Sequence, residues 1–448
     1  MQVILGFGSN HGDRHHWLRE GIRAMEGVPG LTLQRVSPVV ESPALLPAGS
    51  PWDWNRPFLN CVATYAHSGE VSVESAIARL REHIDAAQAA CGRPHPSRWA
   101  PRPLDIDVLM FGEEQRTVGR VTVPHPDLLT RNFVLSPLTA IAPDLRIPGE
   151  PTGQSALAHS RALPHHIPLW MGVLNITPDS FSDGGKHEDW EAVKAQVQRM
   201  REHGVHLLDL GAESTRPGAT PLTADEEWAR LAPILLPLVE FLGDDPLRPS
   251  ISVDTYHASV AERAIDVGVQ VINDVSGLEA PGMLEVAVGH PEVTVIAMHN
   301  LGVPADRAVT LPGDSDPYEV VRDWIARKLD AWSAAGLDPH RTVIDPGIGF
   351  GKDALQSLRL LRSAGDLGRL GVRLLIGHSR KSFMKSFSEG PLDSAERDLI
   401  TTGASLHLAQ QGVDIIRVHN VPMHSAAYRG WSHLVAMPLP PAERPSTT

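Results

Sequence analysis

The sequence predicts a two-domain protein, in which a first domain of mixed helices and strands precedes an α/β domain, a parallel (β/α)8 barrel of the TIM type. Three observations support this fold class. The chain has 448 residues, more than one hydrophobic core ordinarily accommodates. A segment rich in proline and glycine, IAPDLRIPGEPTGQ, lies between two halves of different pattern. After Pro168, eight short apolar runs alternate with amphipathic helical segments, as a parallel barrel requires.

These patterns divide the chain into four segments. The first domain is predicted to cover residues 1–150, a linker residues 151–167, and the barrel residues 168–437. Residues 438–448 form a polar, proline-rich tail, which we expect to be disordered.

Each apolar run of the second half ends in a polar side chain. These side chains are Asn175, Asp209, Asp254, Asn273, His299, Asp345, Ser379 and Arg417. The strands of a parallel barrel end at one mouth, where the active sites of this fold lie. A single aspartate in such a position could equally be a helix N-cap, but eight polar residues in register are hard to explain by capping alone. The sequence therefore predicts a functional site at the barrel mouth.

Composition narrows the class of protein. The formal net charge is −13, which argues against a nucleic-acid partner, because phosphate backbones need a basic face. No stretch is apolar for long enough to span a membrane, and the N-terminus lacks the pattern of a signal peptide. Only two cysteines occur, so we expect a reducing, cytoplasmic location. Most of the 22 histidines stand in polar loops without metal-ligand spacing, which favours solvated histidines over a zinc site.

In the first domain, the segment GRPHPSRWAPRPLDIDVLMFG combines charged residues with a predicted strand. Asp105 and Asp107 alternate with apolar residues, so both carboxylates project from one face of the strand, roughly 7 Å apart. Carboxylates so spaced can hold a pair of Mg²⁺ ions on a polyphosphate. Arg93, Arg98 and Arg102 precede them and are expected to bind phosphates. The alternative is an exposed strand with solvated aspartates.

Two glycine-rich segments are similar to nucleotide-binding loops but lack the required spacing. In GFGSNHGD the third glycine stands one residue too far along for a dinucleotide fingerprint. In GIGFGK the glycines lack the Walker spacing, and no serine or threonine follows the lysine. We interpret GIGFGK as a tight turn beside Asp345.

The ordered motifs of the second half resemble those of dihydropteroate synthases. They are MGVLNITPDSFSDGG, LGAESTRPGA, SVDT, INDVSG, DPGIGFGK, GHSRKSF and RVHN, and the resemblance covers about residues 168–437. It implies condensation of p-aminobenzoate with 6-hydroxymethyl-7,8-dihydropterin pyrophosphate, releasing pyrophosphate. No protein nucleophile is then needed, because the aniline nitrogen attacks.

The resemblance also assigns roles at the barrel mouth, and the residue types suit them. Carboxylates and an amide are natural partners of a pterin edge that presents N–H donors, whereas a lysine suits its acceptor side. The implied pterin-binding residues are Asp254, Asn273, Asp345 and Lys381. Arg417 and His419 are expected to bind the leaving pyrophosphate, and Asn175 and Asp209 to supply oxygens to Mg²⁺. The implied neighbours of p-aminobenzoate are Phe181, Thr215, Arg216, Pro217 and Ser379.

Residues 1 to about 150 resemble 6-hydroxymethyl-7,8-dihydropterin pyrophosphokinases. The similar segments are GSN, FLN, the RPLDID strand and VPHPDLLTRNFVL. The resemblance implies a ferredoxin-like α+β sandwich that transfers pyrophosphate from ATP, the co-substrate, to the pterin alcohol. It implies that Phe58 and Phe133 stack the pterin, that Asn60 bonds it, and that Asp105 and Asp107 hold two Mg²⁺. The residues expected at the ATP phosphates are Arg93, Arg98, Arg102, His125 and Arg131.

Three positions depart from these family patterns, and two other functions compete. Gln88 stands where glutamate is common, Pro126 where tyrosine is usual, and Asn420 where aspartate usually follows Arg-Val-His. One alternative is a pterin-dependent methyltransferase barrel, which would not need STRPG, SRKS or the Arg417 and His419 pair. Another is a synthase or scaffolding protein with a degenerate kinase half. The remaining expectations are small-molecule substrates, no nucleic-acid or membrane partner, and a homodimer formed through the barrel.

Overall fold

The computed structural model describes residues 1–69, 72–92, 99–176, 186–213, 221–304, 306, 308–387 and 390–436. The chain divides into two compact units. One contains residues 1–160 and the C-terminal end of the last helix, and the other contains residues 161–425. The domain boundaries proposed from the sequence stay predictions.

The first unit is built on an antiparallel sheet. Its strands are β1 (Gln2–Ser9), β2 (Leu31–Val36), β3 (Val40–Ser42), β4 (Phe58–His67) and β5 (Asp105–Phe111). The order is β2-β4-β1-β5, with β3 also paired to β4. Residues Leu59 to Tyr65 of β4 are buried in succession, which means that both faces of this central strand are covered.

Helices and one hairpin complete the first unit. The helices are α1 (Arg14–Glu26), α2 (Val73–Ala90), α3 (Asn132–Ile141) and α4 (Ala156–Ala162), and the hairpin is β6 (Arg116–Val118) with β7 (Val121–Val123). Side-chain caps fix where α1 and α2 begin, because Asp13 accepts from the His16 amide and Ser72 from the Ser75 amide. The α+β class predicted for this half is confirmed.

The second unit is a closed barrel of eight parallel strands. They are β8 (Leu169–Asn175), β9 (Leu207–Gly211), β10 (Ser250–Asp254), β11 (Val271–Asp274), β12 (Thr294–Met298), β13 (Thr342–Asp345), β14 (Arg373–Ile376) and β15 (Ile415–Val418). Each strand pairs with the next, and β15 returns to β8, so no sheet edge is left open. All eight strands fall on the apolar runs identified in the sequence, and the barrel prediction is confirmed.

Helices follow the barrel strands. They are α5 (Lys186–Glu202), α6 (Ala224–Leu242), α7 (Ala258–Asp266), α8 (Met283–Gly289), α9 (Pro317–Ala334), α10 (Ala354–Arg362), α11 (Ala364–Gly368), α12 (Ser394–Gln410) and α13 (Val421–Ala436). The strands β10 to β15 are four or five residues long and buried at most positions, as expected for strands covered on both faces. Among the described residues, no helix combines the length and apolar character that crossing a bilayer would require.

A buried ion pair forms at the N-terminal end of the barrel. Arg161 bonds the Asp414 carboxylate through Nη2, and the same nitrogen donates to the Val372 carbonyl at 3.2 Å. Asp414 is buried and also accepts from the Leu374 amide at 2.7 Å. Arg161 therefore belongs structurally to the barrel, although it stands within the stretch that the sequence suggested to be a linker.

Candidate active sites

A cavity of about 460 Å³ opens beside the central strands of the first unit. Its lining includes eight residues singled out from the sequence, namely Phe58, Asn60, Arg102, Asp105, Asp107, His125, Arg131 and Phe133. Arg93 and Arg98 lie outside the described residues. The fold therefore gathers in one place side chains that are up to 75 positions apart in sequence, from Phe58 to Phe133.

Strand β5 presents the two carboxylates at the start of this cavity. It pairs antiparallel with β1, where Asp105 lies opposite Gly8 and Asp107 opposite Gly6. Asp105 accepts from Arg102 Nη1 at 3.1 Å and from Gln88 Nε2 at 3.2 Å. Burial, followed by the charge of Asp105, raises the pKa of Asp107. The Asp105 and Asp107 carboxylates therefore lie close enough to repel each other, and a bound cation would offset that repulsion.

Cationic and aromatic groups face the same cavity. Arg131 Nη1 lies 3.6 Å from Asp107 Oδ2, its Nη2 bonds Asp127 at 2.5 Å, and its guanidinium lies 5.7 Å from the Phe133 ring centroid. Burial lowers the pKa of His125, whose Nδ1 accepts from the Asp127 amide. An imidazole whose pKa is lowered by burial and the arginines Arg102 and Arg131 thus line the wall next to the carboxylates.

The opposite part of the cavity offers an aromatic ring and an amide. Asn60 donates to Ser42 Oγ at 3.0 Å, which fixes the orientation of the amide. A Cβ added at Gly8 would lie 3.4 Å from both the Asn60 oxygen and the Phe58 ring. Gly8 therefore leaves the space in which a flat ligand could approach Phe58 and Asn60.

At the barrel mouth, Arg417 joins two carboxylates. Its Nε donates to Asp209 at 2.6 Å and its Nη2 to Asp254 at 3.2 Å. Asp209 is fully buried, and it also accepts from Ser252 at 2.6 Å and Asn273 at 3.3 Å. Burial, followed by the charge of Asp209, raises the pKa of Asp254 to about 7.

This arrangement differs from the roles expected for Asp209 and Arg417. Asp209 was expected to bind Mg²⁺, yet both of its oxygens are bonded to protein donors, and the side chain is 0% exposed. Arg417 was expected to face a phosphate, whereas two of its nitrogens hold carboxylates. A buried carboxylate needs such donors, because leaving it unpaired would cost several kcal/mol. Asn175, the other expected magnesium ligand, is exposed at the end of β8.

Asp345 and Lys381 meet across Gly377. A Cβ at Gly377 would lie 3.5 Å from Asp345 Oδ2 and 3.9 Å from Lys381 Nζ. Asp345 accepts from the Gly347 amide at 2.8 Å, and Lys381 donates to the Ile348 carbonyl at 2.6 Å. Burial lowers the pKa of Lys381 to about 8, with Asp345 opposing the change. The two groups are electrostatic neighbours at the mouth, because the charge of each opposes the effect of burial on the pKa of the other.

The GIGFGK segment is the tight turn predicted beside Asp345. Gly347, Gly349 and Gly351 have φ of 71°, 75° and 60°, in the left-handed region that side chains rarely adopt. The turn buries Lys352, which donates to His299 Nδ1 at 2.9 Å and has a pKa lowered by burial to about 7. The buried contact of Lys352 was not predicted from the sequence, in which this lysine only ends a segment similar to a phosphate loop.

Other residues singled out from the sequence lie close by or fall outside the part of the chain that the structure describes. Ser379 Oγ is 2.9 Å from His419 Nδ1, which joins the ends of β14 and β15. Phe181, Thr215, Arg216 and Pro217 lie outside the described residues.

A partly buried cluster beside β10 was also not predicted from the sequence. Thr255 donates to Glu227 at 2.9 Å and Tyr256 to Glu213 at 2.8 Å, and His257 Nε2 lies within 3.9 Å of both glutamates. Burial raises the pKa of Glu227 to about 8. The feature that distinguishes this cluster is the burial of Glu227 in α6. A single sequence does not show which glutamate of a helix is buried, so it offered no signal for the cluster.

Comparison with known proteins agrees with both halves. The family described as 7,8-dihydro-6-hydroxymethylpterin-pyrophosphokinase matches residues 4–143, and the family described as pterin binding enzyme matches residues 171–419. A folate synthesis bifunctional protein of Chlamydia muridarum is 34% identical over 94% of this chain and 95% of its own length.

Solved structures resemble the barrel half. A dihydropteroate synthase of Xanthomonas albilineans, solved with 4-aminobenzoic acid, is 37% identical and covers 60% of this chain and 94% of its own, with a TM-score of 0.55. The enzyme of Anaplasma phagocytophilum, solved with 6-hydroxymethylpterin-monophosphate, is 32% identical and covers 60% of this chain and 99% of its own, with a TM-score of 0.53. The chain belongs to the family of bifunctional folate synthesis proteins, in which a pterin pyrophosphokinase domain precedes a dihydropteroate synthase barrel.

Proposed function

We propose that the chain catalyses two consecutive reactions of folate synthesis. The first domain transfers the pyrophosphoryl group of ATP to 6-hydroxymethyl-7,8-dihydropterin, and the barrel condenses that product with p-aminobenzoate to give 7,8-dihydropteroate and pyrophosphate. The main support is that each unit gathers its own complementary set of groups. Paired carboxylates face arginines in the first cavity, and carboxylates, an amide and a lysine surround the barrel mouth.

In the first domain the residues act by positioning and neutralising charge, because the substrate hydroxyl is itself the nucleophile. Asp105 and Asp107 are suited to hold Mg²⁺, which when bound would offset the charge of the ATP phosphates. Arg102, Arg131 and His125 lie within the same cavity and can contact those phosphates. Arg93 and Arg98 are proposed for the same task from the sequence.

The pterin of the first domain is proposed to lie between aromatic rings. Phe58 and Phe133 line the cavity, and Asn60 offers an amide whose nitrogen is held by Ser42. The amide oxygen can then accept from the amino edge of the pterin. The space above Gly8 supports this location, since any larger residue there would approach both Phe58 and Asn60.

At the barrel mouth, Asp254, Asn273, Asp345 and Lys381 are proposed to bind the pterin ring. The carboxylates and the amide can pair with ring donors, and the lysine can donate to the ring oxygen. We assign Asp209 a supporting role instead of a magnesium-binding one, because it holds Asn273 and Arg417 in place. Asn175 remains our proposal for the magnesium side.

The leaving pyrophosphate is proposed to meet Arg417 and His419. Arg417 uses Nε and Nη2 for carboxylates, so Nη1 is the nitrogen that we assign to phosphate. His419 stands one residue beyond β15 and is hydrogen-bonded to Ser379. Thr215, Arg216, Phe181 and Pro217, with Ser379, are proposed for p-aminobenzoate from the sequence resemblance.

A coupled assay on the full chain tests the two-reaction proposal. We expect dihydropteroate from pterin alcohol, ATP, Mg²⁺ and p-aminobenzoate, and none when ATP is omitted. Product formed only from supplied pterin pyrophosphate would indicate a synthase with an inactive kinase half. Absence of product in both assays would contradict the proposal.

The assembly and location are proposed from the sequence alone. We propose a homodimer formed through the barrel and a cytoplasmic location. Analytical ultracentrifugation of the full chain tests the first, and a monomer at micromolar concentration would contradict it. Fractionation of the source cells tests the second.

A further inference from the structure

The turn after β14 has an unusual backbone. Arg380, which stands between Ser379 and Lys381, has φ of 57°. Only Leu278 shares this feature among the non-glycine residues that the structure describes. A side chain in the left-handed region is unfavourable unless surrounding contacts fix it. The conformation of the turn that presents Ser379 and Lys381 therefore depends on the contacts of the Arg380 side chain.

Asp398 of α12 holds Arg380 through two hydrogen bonds. Arg380 Nε donates to Oδ1 at 2.8 Å, and Nη2 donates to Oδ2 at 2.9 Å. The Asp398 side chain is 6% exposed and that of Arg380 is 35% exposed, so the carboxylate is shielded from water while the guanidinium is partly exposed. A two-pronged contact of this kind fixes the guanidinium in both position and plane.

Asn420 connects the same carboxylate to the turn after β15. Its Nδ2 donates to Asp398 Oδ2 at 3.0 Å, and its Oδ1 accepts from the Met423 amide at 3.2 Å, at the start of α13. The Met423 contact fixes which end of the amide is oxygen, so the nitrogen must face Asp398. An aspartate at position 420 would instead bring two carboxylates within hydrogen-bond distance, which is unfavourable for two charges.

The two turns joined in this way carry groups proposed for p-aminobenzoate, for the pterin ring and for the pyrophosphate. One turn presents Ser379 and Lys381, and the other follows Arg417 and includes His419. The two turns are linked twice. One link is the direct contact of Ser379 Oγ with His419 Nδ1 at 2.9 Å, and the other runs from Arg380 through Asp398 to Asn420.

We infer that Asp398 and Asn420 are positioning residues of the synthase reaction, which keep the Ser379–Lys381 turn in register with His419 through Arg380. The expected effect on catalysis rests on the proposed function. The expected effect on the rigidity of the Ser379–Lys381 turn does not depend on that function. The asparagine after Arg-Val-His is then matched to Asp398, because an amide is the group that can donate to that carboxylate and cap α13 as well.

Asn420→Ser is the sharpest variant, because a serine can still cap α13 but cannot donate to Asp398 in the same way. We expect kcat/KM for supplied pterin pyrophosphate to fall about tenfold, as for loss of one hydrogen bond to a charged group. Asn420→Asp should reduce it further. The pyrophosphokinase rate of Asn420→Ser should stay within error of the parent.

A double variant tests the contact between Asp398 and Asn420 itself. In the double variant Asp398→Asn with Asn420→Asp, the donor and acceptor are exchanged, and we expect kcat/KM to exceed that of Asn420→Asp alone. Independent roles of the two residues, without the contact between them, would not give this rescue. Unchanged kcat/KM in Asn420→Ser, or a double variant no better than Asn420→Asp alone, would overturn the inference.

Hydrogen exchange supplies a readout that needs no catalysis. The peptide spanning residues 373–387 should exchange faster in Asn420→Ser than in the parent, whereas a peptide of the first domain should not change. If the parent makes no dihydropteroate but this peptide responds, the proposed function fails and the positioning role stands. Equal exchange in parent and variant would overturn the positioning role whatever the activity.

Discussion

Replacing Arg417 by lysine tests the centre of the barrel site. The guanidinium bonds Asp209, which is 0% exposed, and Asp254, which is 12% exposed, through two different nitrogens. A lysine has a single ammonium group at the end of a flexible chain, so it can keep the charge but not the fixed two-pronged geometry. At least one bond to a buried carboxylate should therefore be lost.

The size of the effect follows from that loss. One hydrogen bond to a charged group contributes about 1.5–3 kcal/mol, which corresponds to roughly a tenfold to hundredfold change in kcat/KM. We expect this decrease for pterin pyrophosphate supplied directly to the full chain. Sequence reasoning alone would confine the effect to ligands that bear phosphate. The bond from Arg417 to Asp254 predicts a smaller weakening of competitive inhibition by the pterin alcohol as well.

Steady-state synthase kinetics on the full chain measure this prediction, and the second activity of the same chain is an internal control. The pyrophosphokinase rate should not change in Arg417→Lys. Arg359→Lys, an exposed arginine on α10, is the matched substitution and should leave both rates unchanged. A kcat/KM within twofold of the parent, or equal loss of both activities, would refute the assignment of Arg417.

Three further predictions address the other parts of the molecule. Asp105→Asn should abolish AMP formation and leave synthesis from supplied pterin pyrophosphate intact; equal loss of both would contradict two separate sites. A barrel fragment starting at Leu163 lacks Arg161 and should melt several degrees below one starting at Ser155, and equal midpoints by circular dichroism would exclude that role. Burial raises the pKa of Glu227 from 4.5 to about 8, so its ionisation destabilises the fold progressively as pH rises between those values. Glu227→Gln should therefore gain thermal stability relative to the parent between pH 5.5 and pH 8, unlike the exposed control Glu240→Gln; a gain equal at both pH values would contradict this.

The sequence was sufficient for the barrel because its signal is local and repeated. Each strand lies in a short apolar run of the sequence, and a helix follows each strand. The rule that parallel strands end at one mouth then places Asp254, Asn273 and Asp345 together without any knowledge of the contacts. The same reasoning placed Asp105 and Asp107 on one face, because side chains alternate along a strand.

Only the tertiary structure decided which partner each charged group takes. Asp209 and Arg417 are 208 positions apart, and nothing in either local pattern indicates that they bond each other. Arg161 lies in a stretch whose composition suggests a linker, yet it closes the end of the barrel against Asp414. The hydrogen-bond partner of a carboxylate depends on which of its oxygens are shielded from water. The packing of strands that are distant in sequence decides which oxygens are shielded. Residue identity and spacing therefore determined the fold and the location of the sites, whereas burial determined which carboxylates remain for a ligand.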